Sequence, residues 1–242
     1  MKSRIDVLAF APHPDDAELG CAGTLLRLKQ SGRTIGIVDL TQGELSTRGT
    51  EDTRKTETQN ASQILGLDAR VNLGIPDGNI RNTEEHRAAI ITIVRDFRPQ
   101  TVLLPFHRDR HPDHEHAHIL IRDAVFYSGL EKIRTTHDGT QQEAFRPKNM
   151  FSYMLSFDFE PAFIIDVSDT FETKLRAIQA YRTQFHSTEA DASQPETYVS
   201  SAAYLEAFIA RARRLGFLIG KKYGEGFATH QVLNLAPEAL FN

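Results

Sequence analysis

The stretch IDVLAFAPHPDDAELG, residues 5–20, runs from an apolar segment straight into a histidine and two adjacent carboxylates. The apolar half reads as a strand buried in a core. Asp15 and Asp16 then stand side by side at the edge of that core, where their repulsion costs free energy unless a cation or a chemical task requires both. Residues 17–32 follow with Leu19, Ala22, Leu25, Leu26 and Leu28 near helical spacing and Gly32 as a stop. A strand, a polar turn and a helix in that order open a βαβ unit.

The same alternation continues outward. Strands are expected over 34–40, 69–74 and 101–106, and helices over 51–65, 83–97 and 112–127. Glu51 and Asp52 open the second helix and Gly66 closes it; Thr83 caps the third; Pro112 suits the first position of the fourth. Later come strands in NMFSYMLS and AFIIDV, then helices near 169–184 and 197–215. This order predicts an α/β fold: a Rossmann-like three-layer sandwich with a mostly parallel sheet and a smaller C-terminal strand and helix extension. A single domain is expected over 1–242, with 1–130 as the core and 131–242 completing the site. Two polar stretches, 131–149 and 186–197, read as loops or insertions.

The bulk numbers narrow the classes of function. Of the 242 residues, 28 are Lys or Arg and 32 Asp or Glu, a formal net charge of −4, which argues against nucleic-acid binding. No apolar run approaches the roughly 18 residues of a membrane span. MKSR before IDVLAFAP has a faint signal-peptide look, but its apolar part is short and contains Asp6, so it reads as the first strand. One cysteine, Cys21, fits a reducing cytoplasm, and in the small-residue run CAGT it reads as a packed thiol.

In an open parallel sheet, ligands bind beyond the carboxyl ends of the strands, at the switch point. HPDD follows the first strand and HRDRHPDH, residues 107–114, the fourth, so two His/Asp clusters are expected to meet. A catalytic zinc takes three protein ligands and leaves one position open. His13 and Asp16 are three apart and His114 supplies a third ligand from the other strand end. Asp15 would then accept a proton from the metal's water. The second cluster leaves alternatives, because His114 and His118 are four apart and His111, His114 and His118 share a helix face. His114 is preferred, with His111 and nearby Asp113 left for acid/base or electrostatic work and His116 and His118 for surface or packing roles. Two histidines and one carboxylate also suit ferrous iron. The competing expectation is that Asp15 or Asp16 merely caps the helix.

These motifs resemble the zinc-dependent N-acetylglucosaminyl deacetylases of the LmbE-like or PIG-L family, whose signatures are a first-strand [AG]-H-x-D-D and a later H-P-D-H. DLTQGELSTRGT (39–50), TRKTET (53–58), NLGIPDG (72–78), AYRTQF (180–185) and YGEGF (223–227) look like the branch that makes bacillithiol. The resemblance implies that His13, Asp16 and His114 bind zinc, that Asp15 is the general base, and that His111, oriented by Asp113, polarises the carbonyl. It implies Arg54 and Tyr198 as substrate-binding residues and N-acetylglucosaminyl malate as substrate, with a chitooligosaccharide or a non-catalytic sugar-binding role as alternatives. Arg110 is a second candidate for a substrate carboxylate and Arg48 a weaker third, expected to be solvated; Glu44 reads either as a site residue or as an acceptor for loop amides. The resemblance also implies a homo-oligomer, for which YVSSAAYLEAFIARARRLGF (198–217) offers an apolar stripe.

Overall fold

The computed structural model describes residues 4–185, 194–229 and 231–234. Strands β1 Val7–Ala11, β2 Ile35–Asp39, β3 Ala69–Asn72 and β4 Thr101–Pro105 alternate with helices α1 Asp16–Gln30, α2 Glu51–Leu65, α3 Glu84–Phe97 and α4 Pro112–Ser128. A small hairpin, β5 Thr136–His137 and β6 Thr140–Gln141, precedes β7 Asn149–Tyr153 and β8 Phe163–Asp166. Helices α5 Phe171–Gln179 and α6 Ala202–Leu218 and strand β9 Gly224–Thr229 follow.

Seven strands form one sheet in the order β3-β2-β1-β4-β7-β9-β8. β1 pairs in parallel with β2 on one side and with β4 on the other, and β4 in parallel with β7. β9 runs antiparallel to both β7 and β8. The expected α/β sandwich is therefore present, with β9 as an antiparallel strand that the sequence reading did not anticipate.

Alternation along β1 builds both faces. Val7, Ala9 and Ala11 join one core with α1, α2, α5 and α6, whereas Leu8 and Phe10 join a second with α3 and α4. Leu8 and Phe10 are fully buried, which removes about 1.5–3 kcal/mol of apolar exposure each. One close approach fixes α1 over the sheet: a Cβ on Gly20 would lie 2.0 Å from the ring of Tyr153. Tyr153 cannot retreat, because its hydroxyl donates to the Phe10 carbonyl at 2.7 Å.

Because β1 and β4 are parallel neighbours, their carboxyl ends emerge together at the switch point. Pro12–Asp15 leaves one end and Phe106–His111 the other. The polar stretch 131–149 carries the β5–β6 hairpin, turned at Asp138 (φ 49°) and Gly139 (φ 73°). Most of the other polar stretch, residues 186–193, lies outside the described residues.

Candidate metal centre at the switch point

The turn after β1 is shaped around its two carboxylates. Asp15 precedes α1 with φ 124°, a conformation that L residues rarely adopt, and its side chain makes no capping bond. The capping expectation for Asp15 thus fails. Asp16 opens the helix, where the macrodipole favours negative charge. On the other side Pro112 occupies the first turn of α4, and His111 caps that helix by accepting the Asp113 backbone N–H on Nδ1 at 3.2 Å.

The two turns converge. Asp16 Oδ2 lies 3.1 Å from His13 Nδ1 and 3.3 Å from His114 Nε2. Ligands about 2.0–2.2 Å from a tetrahedral ion stand about 3.3–3.6 Å apart, so these separations lie close to what one divalent ion requires. One ligand atom from each of His13, Asp16 and His114 lies within 4.8 Å of the others. The far nitrogens of both imidazoles have carboxylate partners. His114 Nδ1 is 2.8 Å from Asp109 Oδ1, and His13 Nε2 is 3.1 Å from Asp77 Oδ1. Such partners fix ring orientation and tautomer in metal-binding histidines.

His111 stacks on His114 with ring centroids 4.9 Å apart and stands edge-on to His13 at 4.8 Å. Because Nδ1 accepts a backbone N–H, the neutral ring carries its proton on Nε2. Burial, then the charges of His13 and His114, push the His111 pKa down. The expected contact between Asp113 and His111 is made by the Asp113 main chain. Asp113 reaches that ring through its backbone N–H, while its Oδ2 accepts the Gly78 N–H at 2.8 Å and lies 3.5 Å from His13 Nε2. His118 Nδ1 is 2.9 Å from the Pro105 carbonyl and buried, and His116 is exposed, which accords with packing and surface positions.

The adjacent carboxylates are driven apart electrostatically. Burial raises Asp15 to about 7, opposed by the Arg54 charge and reinforced by Asp16. Burial also opposes ionisation of Asp16, but the charges and hydrogen bonds of His114 and His13 outweigh it and hold the carboxyl well below its usual range. At neutral pH one carboxylate is a committed anion and its neighbour is poised to exchange a proton.

A cavity of about 310 Å³ opens over this cluster, walled by Leu45, Ser46, Leu155, Ser156, Gln184 and Tyr204. Arg54 and Arg110 also border it. Arg54 is buried, however, and already engaged: Nη1 donates to the Pro14 carbonyl at 2.6 Å and to Asp15 Oδ2 at 3.1 Å, and Nη2 to Ser46 Oγ at 2.6 Å. Arg110 is exposed and lies over the Tyr198 ring, 4.3 Å from its centroid. Tyr198 is 53% exposed and stands outside the cavity wall; the tyrosine in that wall is Tyr204. Arg48 is buried rather than solvated, and Glu44 Oε1 accepts the Asp77 backbone N–H at 2.7 Å. Cys21 is buried, with Sγ 3.5 Å from the Ala17 carbonyl.

Sequence reasoning missed Asp77 and Asp109. Both lie within quoted motifs, NLGIPDG and HRDRHPDH, so a carboxylate beside a loop glycine and one just ahead of HPDH were the available signals.

The family model for PIG-L, GlcNAc-PI de-N-acetylase, matches residues 8–125, from β1 to the end of α4, and so spans both clusters. Diacetylchitobiose deacetylase of Thermococcus kodakarensis is 29% identical, over 96% of this chain and 86% of that protein. A 1D-myo-inositol 2-acetamido-2-deoxy-alpha-D-glucopyranoside deacetylase of Mycobacterium leprae is 28% identical, over 49% of each chain. The crystal structure of a conserved protein of Thermus thermophilus is 38% identical, covers 96% of this chain and 98% of its own, and superposes with a TM-score of 0.85. HPDD and HPDH at neighbouring strand ends, a family model spanning both, and near-full-length likeness to the Thermococcus and Thermus proteins lead to one conclusion: the chain belongs to the PIG-L/LmbE-like deacetylase family.

Proposed function

We propose that this chain is a divalent-metal hydrolase that removes the acetyl group from N-acetylglucosamine units of a small sugar substrate. The observation that carries the reading is the convergence of His13, Asp16 and His114 beside an uncapped Asp15 of raised pKa. His13, Asp16 and His114 would hold the ion, which we read as zinc, with ferrous iron suited to the same donors. Bound there, a divalent ion supplies Lewis-acid chemistry and lowers the pKa of water to about 7.

The chain's own groups supply the rest. Asp15 accepts the proton of the attacking water, and Arg54 holds that carboxylate toward the cavity. His111 donates from Nε2 to the oxygen that gains charge as the acetyl carbonyl becomes tetrahedral; losing one such donor typically costs about 10²–10³ in rate. The lowered pKa of His111 supports a neutral donor rather than a protonated one. When the C–N bond breaks, the amine takes up the proton and acetate remains.

The finer identity of the substrate is open to experiment. A chitooligosaccharide is the reading that the Thermococcus relative supports. The N-acetylglucosaminyl malate of the bacillithiol branch finds no counterpart among the relatives described above. With Arg54 engaged by Asp15, Arg110 is the cavity arginine that could meet a malate carboxylate. No helix among the described residues is long and apolar enough to cross a membrane. A cytoplasmic homo-oligomer remains part of the proposal, supported by Phe217 and Leu218, exposed at the end of α6.

The deciding assay is acetate release from diacetylchitobiose, N-acetylglucosaminyl malate and free N-acetylglucosamine by metal-loaded and chelator-treated protein. Metal-dependent release from diacetylchitobiose is expected. Preference for the malate conjugate that is lost in Arg110→Ala would transfer the assignment to the bacillithiol branch. Release from none of the three by the loaded protein refutes the function.

A further inference from the structure

The carboxylates that orient the two metal-binding imidazoles have a second occupation. Asp109 takes His114 Nδ1 on Oδ1 at 2.8 Å, and its Oδ2 accepts the backbone N–H groups of Ser156 at 2.8 Å and Phe157 at 3.4 Å. Asp77 repeats the arrangement on the other histidine. Its Oδ1 lies 3.1 Å from His13 Nε2, and its Oδ2 accepts the Leu45 N–H at 3.0 Å. A further bond, from the Asp77 N–H to Glu44, ties the same loop down a second time. Leu45 and Ser156 belong to different loops, one after β2 and one after β7, and both line the cavity. The two carboxylate side chains are only 8% and 3% exposed.

We propose that Asp77 and Asp109 are positioning residues, each shared between one metal-binding imidazole and one wall of the cavity, so that metal and walls hold one another in place. The inference rests on the metal reading above. An imidazole bound to a metal through one nitrogen must carry its proton on the other, and a carboxylate that accepts this proton fixes the ring plane. The second oxygen of the same carboxylate is then fixed as well. The Ser156 N–H is half-buried and the Leu45 N–H exposed, and each makes a charge-assisted hydrogen bond that is lost if its loop moves off the carboxylate, so the loop follows the carboxylate. Coupling of this kind is reciprocal: if the metal orders the walls, ordered walls tighten the metal.

The test uses two readouts on the full-length chain. Zn²⁺ is titrated into metal-free wild type, Asp77→Ala, Asp109→Ala and the two Asp→Asn variants, and backbone hydrogen exchange is followed in peptides covering 43–47 and 155–158. Each alanine variant should bind metal about 10–100-fold more weakly, and each asparagine variant less so, because its single amide oxygen keeps one of the two hydrogen bonds while its NH2 group faces the other donor. In wild type, metal should slow exchange in both segments. Asp77→Ala should lose that slowing in 43–47 alone and Asp109→Ala in 155–158 alone. A purely structural role predicts weakened folding with no such segment-by-segment pattern. Wild-type-like affinity in the alanine variants, or metal-induced slowing that survives them, overturns the proposal. Should an alanine variant fail to fold, its asparagine counterpart carries the same comparison: unchanged affinity and slowing overturn the inference, and a loss of affinity with loss of slowing in the matching segment alone supports it. Failure of wild type itself to bind a divalent ion would instead refute the proposed function and this inference with it.

Discussion

Replacing Arg54 with methionine removes the one cation in hydrogen-bond contact with Asp15 among the described residues while keeping an unbranched side chain of similar length. The Nη1–Oδ2 separation is 3.1 Å, and the two side chains are 8% and 12% exposed. At that distance an effective dielectric constant of about 20 gives roughly 5 kcal/mol of attraction, an upper limit near four pKa units. Measured effects of one opposite charge on a carboxylate are about 1–3 units. Burial has already raised Asp15 to about 7, with the Arg54 charge opposing. The variant should therefore lift it to about 8–10. On the acidic limb of the profile each unit of that rise costs about tenfold in ionised Asp15, so there kcat/KM drops about 10- to 1000-fold. The sign matters as much as the size. Asp15 acts as a base, so activity should return as pH rises, and the acidic limb of the profile should move to higher pH. The assay is kcat/KM for acetate release against pH at buffered free metal. A bound dication lowers the Asp15 pKa in both enzymes, so the displacement between their profiles isolates the guanidinium. Arg54→Lys, which keeps the charge, should fall between them. Superimposable profiles for wild type and Arg54→Met would refute the reasoning.

Asp15→Asn should lower kcat by about 10²–10⁴ while leaving metal content unchanged, and near-wild-type turnover would remove Asp15 from the chemistry. Metal affinity should rise with pH. Burial disfavours the charged form of His114, yet the Asp16 charge and the bonds to Asp109 and Asp16 outweigh it and push the ring up to about 9, so metal must displace a proton at neutral pH. The expected gain is about tenfold per pH unit for each proton released, levelling off above about pH 9, and a flat calorimetric titration series contradicts it. The same raised pKa has a stability consequence in the metal-free protein: the His114 contribution is complete below its unfolded pKa of about 6.5 and is lost as pH rises through about 9. Gly20→Ala should destabilise by about 1–3 kcal/mol because its Cβ would meet Tyr153 at 2.0 Å, even though alanine is the better helix former by about 1 kcal/mol. Urea unfolding decides between those two signs.

Much of the core was legible because its signals are local. The second helix runs over Glu51–Leu65 as expected, since a cap and a stop bracket it: Thr50 exchanges hydrogen bonds with Thr53, and Gly66 takes φ 61°. The meeting of HPDD with HPDH was legible because the doubly wound connection rule makes β1 and β4 neighbours. What escaped depended on distant pairing. GEGFAT carries two glycines, which weaken a strand signal, and no strand was expected there, yet β7 and β8 recruit it as the strand between them. Asp77 could not be assigned to His13 without knowing where the chain leaves β3. Tyr198 and Tyr204 are both aromatic and close in sequence; only the path of α6 places Tyr204 in the cavity wall and leaves Tyr198 stacked beneath Arg110. Arg54 was chosen for the right neighbourhood, the cavity border, but its bond to Asp15 depends on how the second helix meets the turn after the first strand and was not legible in the sequence.

The central claim is that the ends of β1 and β4 build one metal centre. Anomalous diffraction from metal-loaded crystals at the absorption edge of the bound ion tests it most directly. The account predicts a single strong peak about 2.0–2.2 Å from His13 Nδ1, Asp16 Oδ2 and His114 Nε2, with the Asp15 carboxylate outside bonding distance. A peak held by other residues, or none at this site in protein that is active, would contradict it.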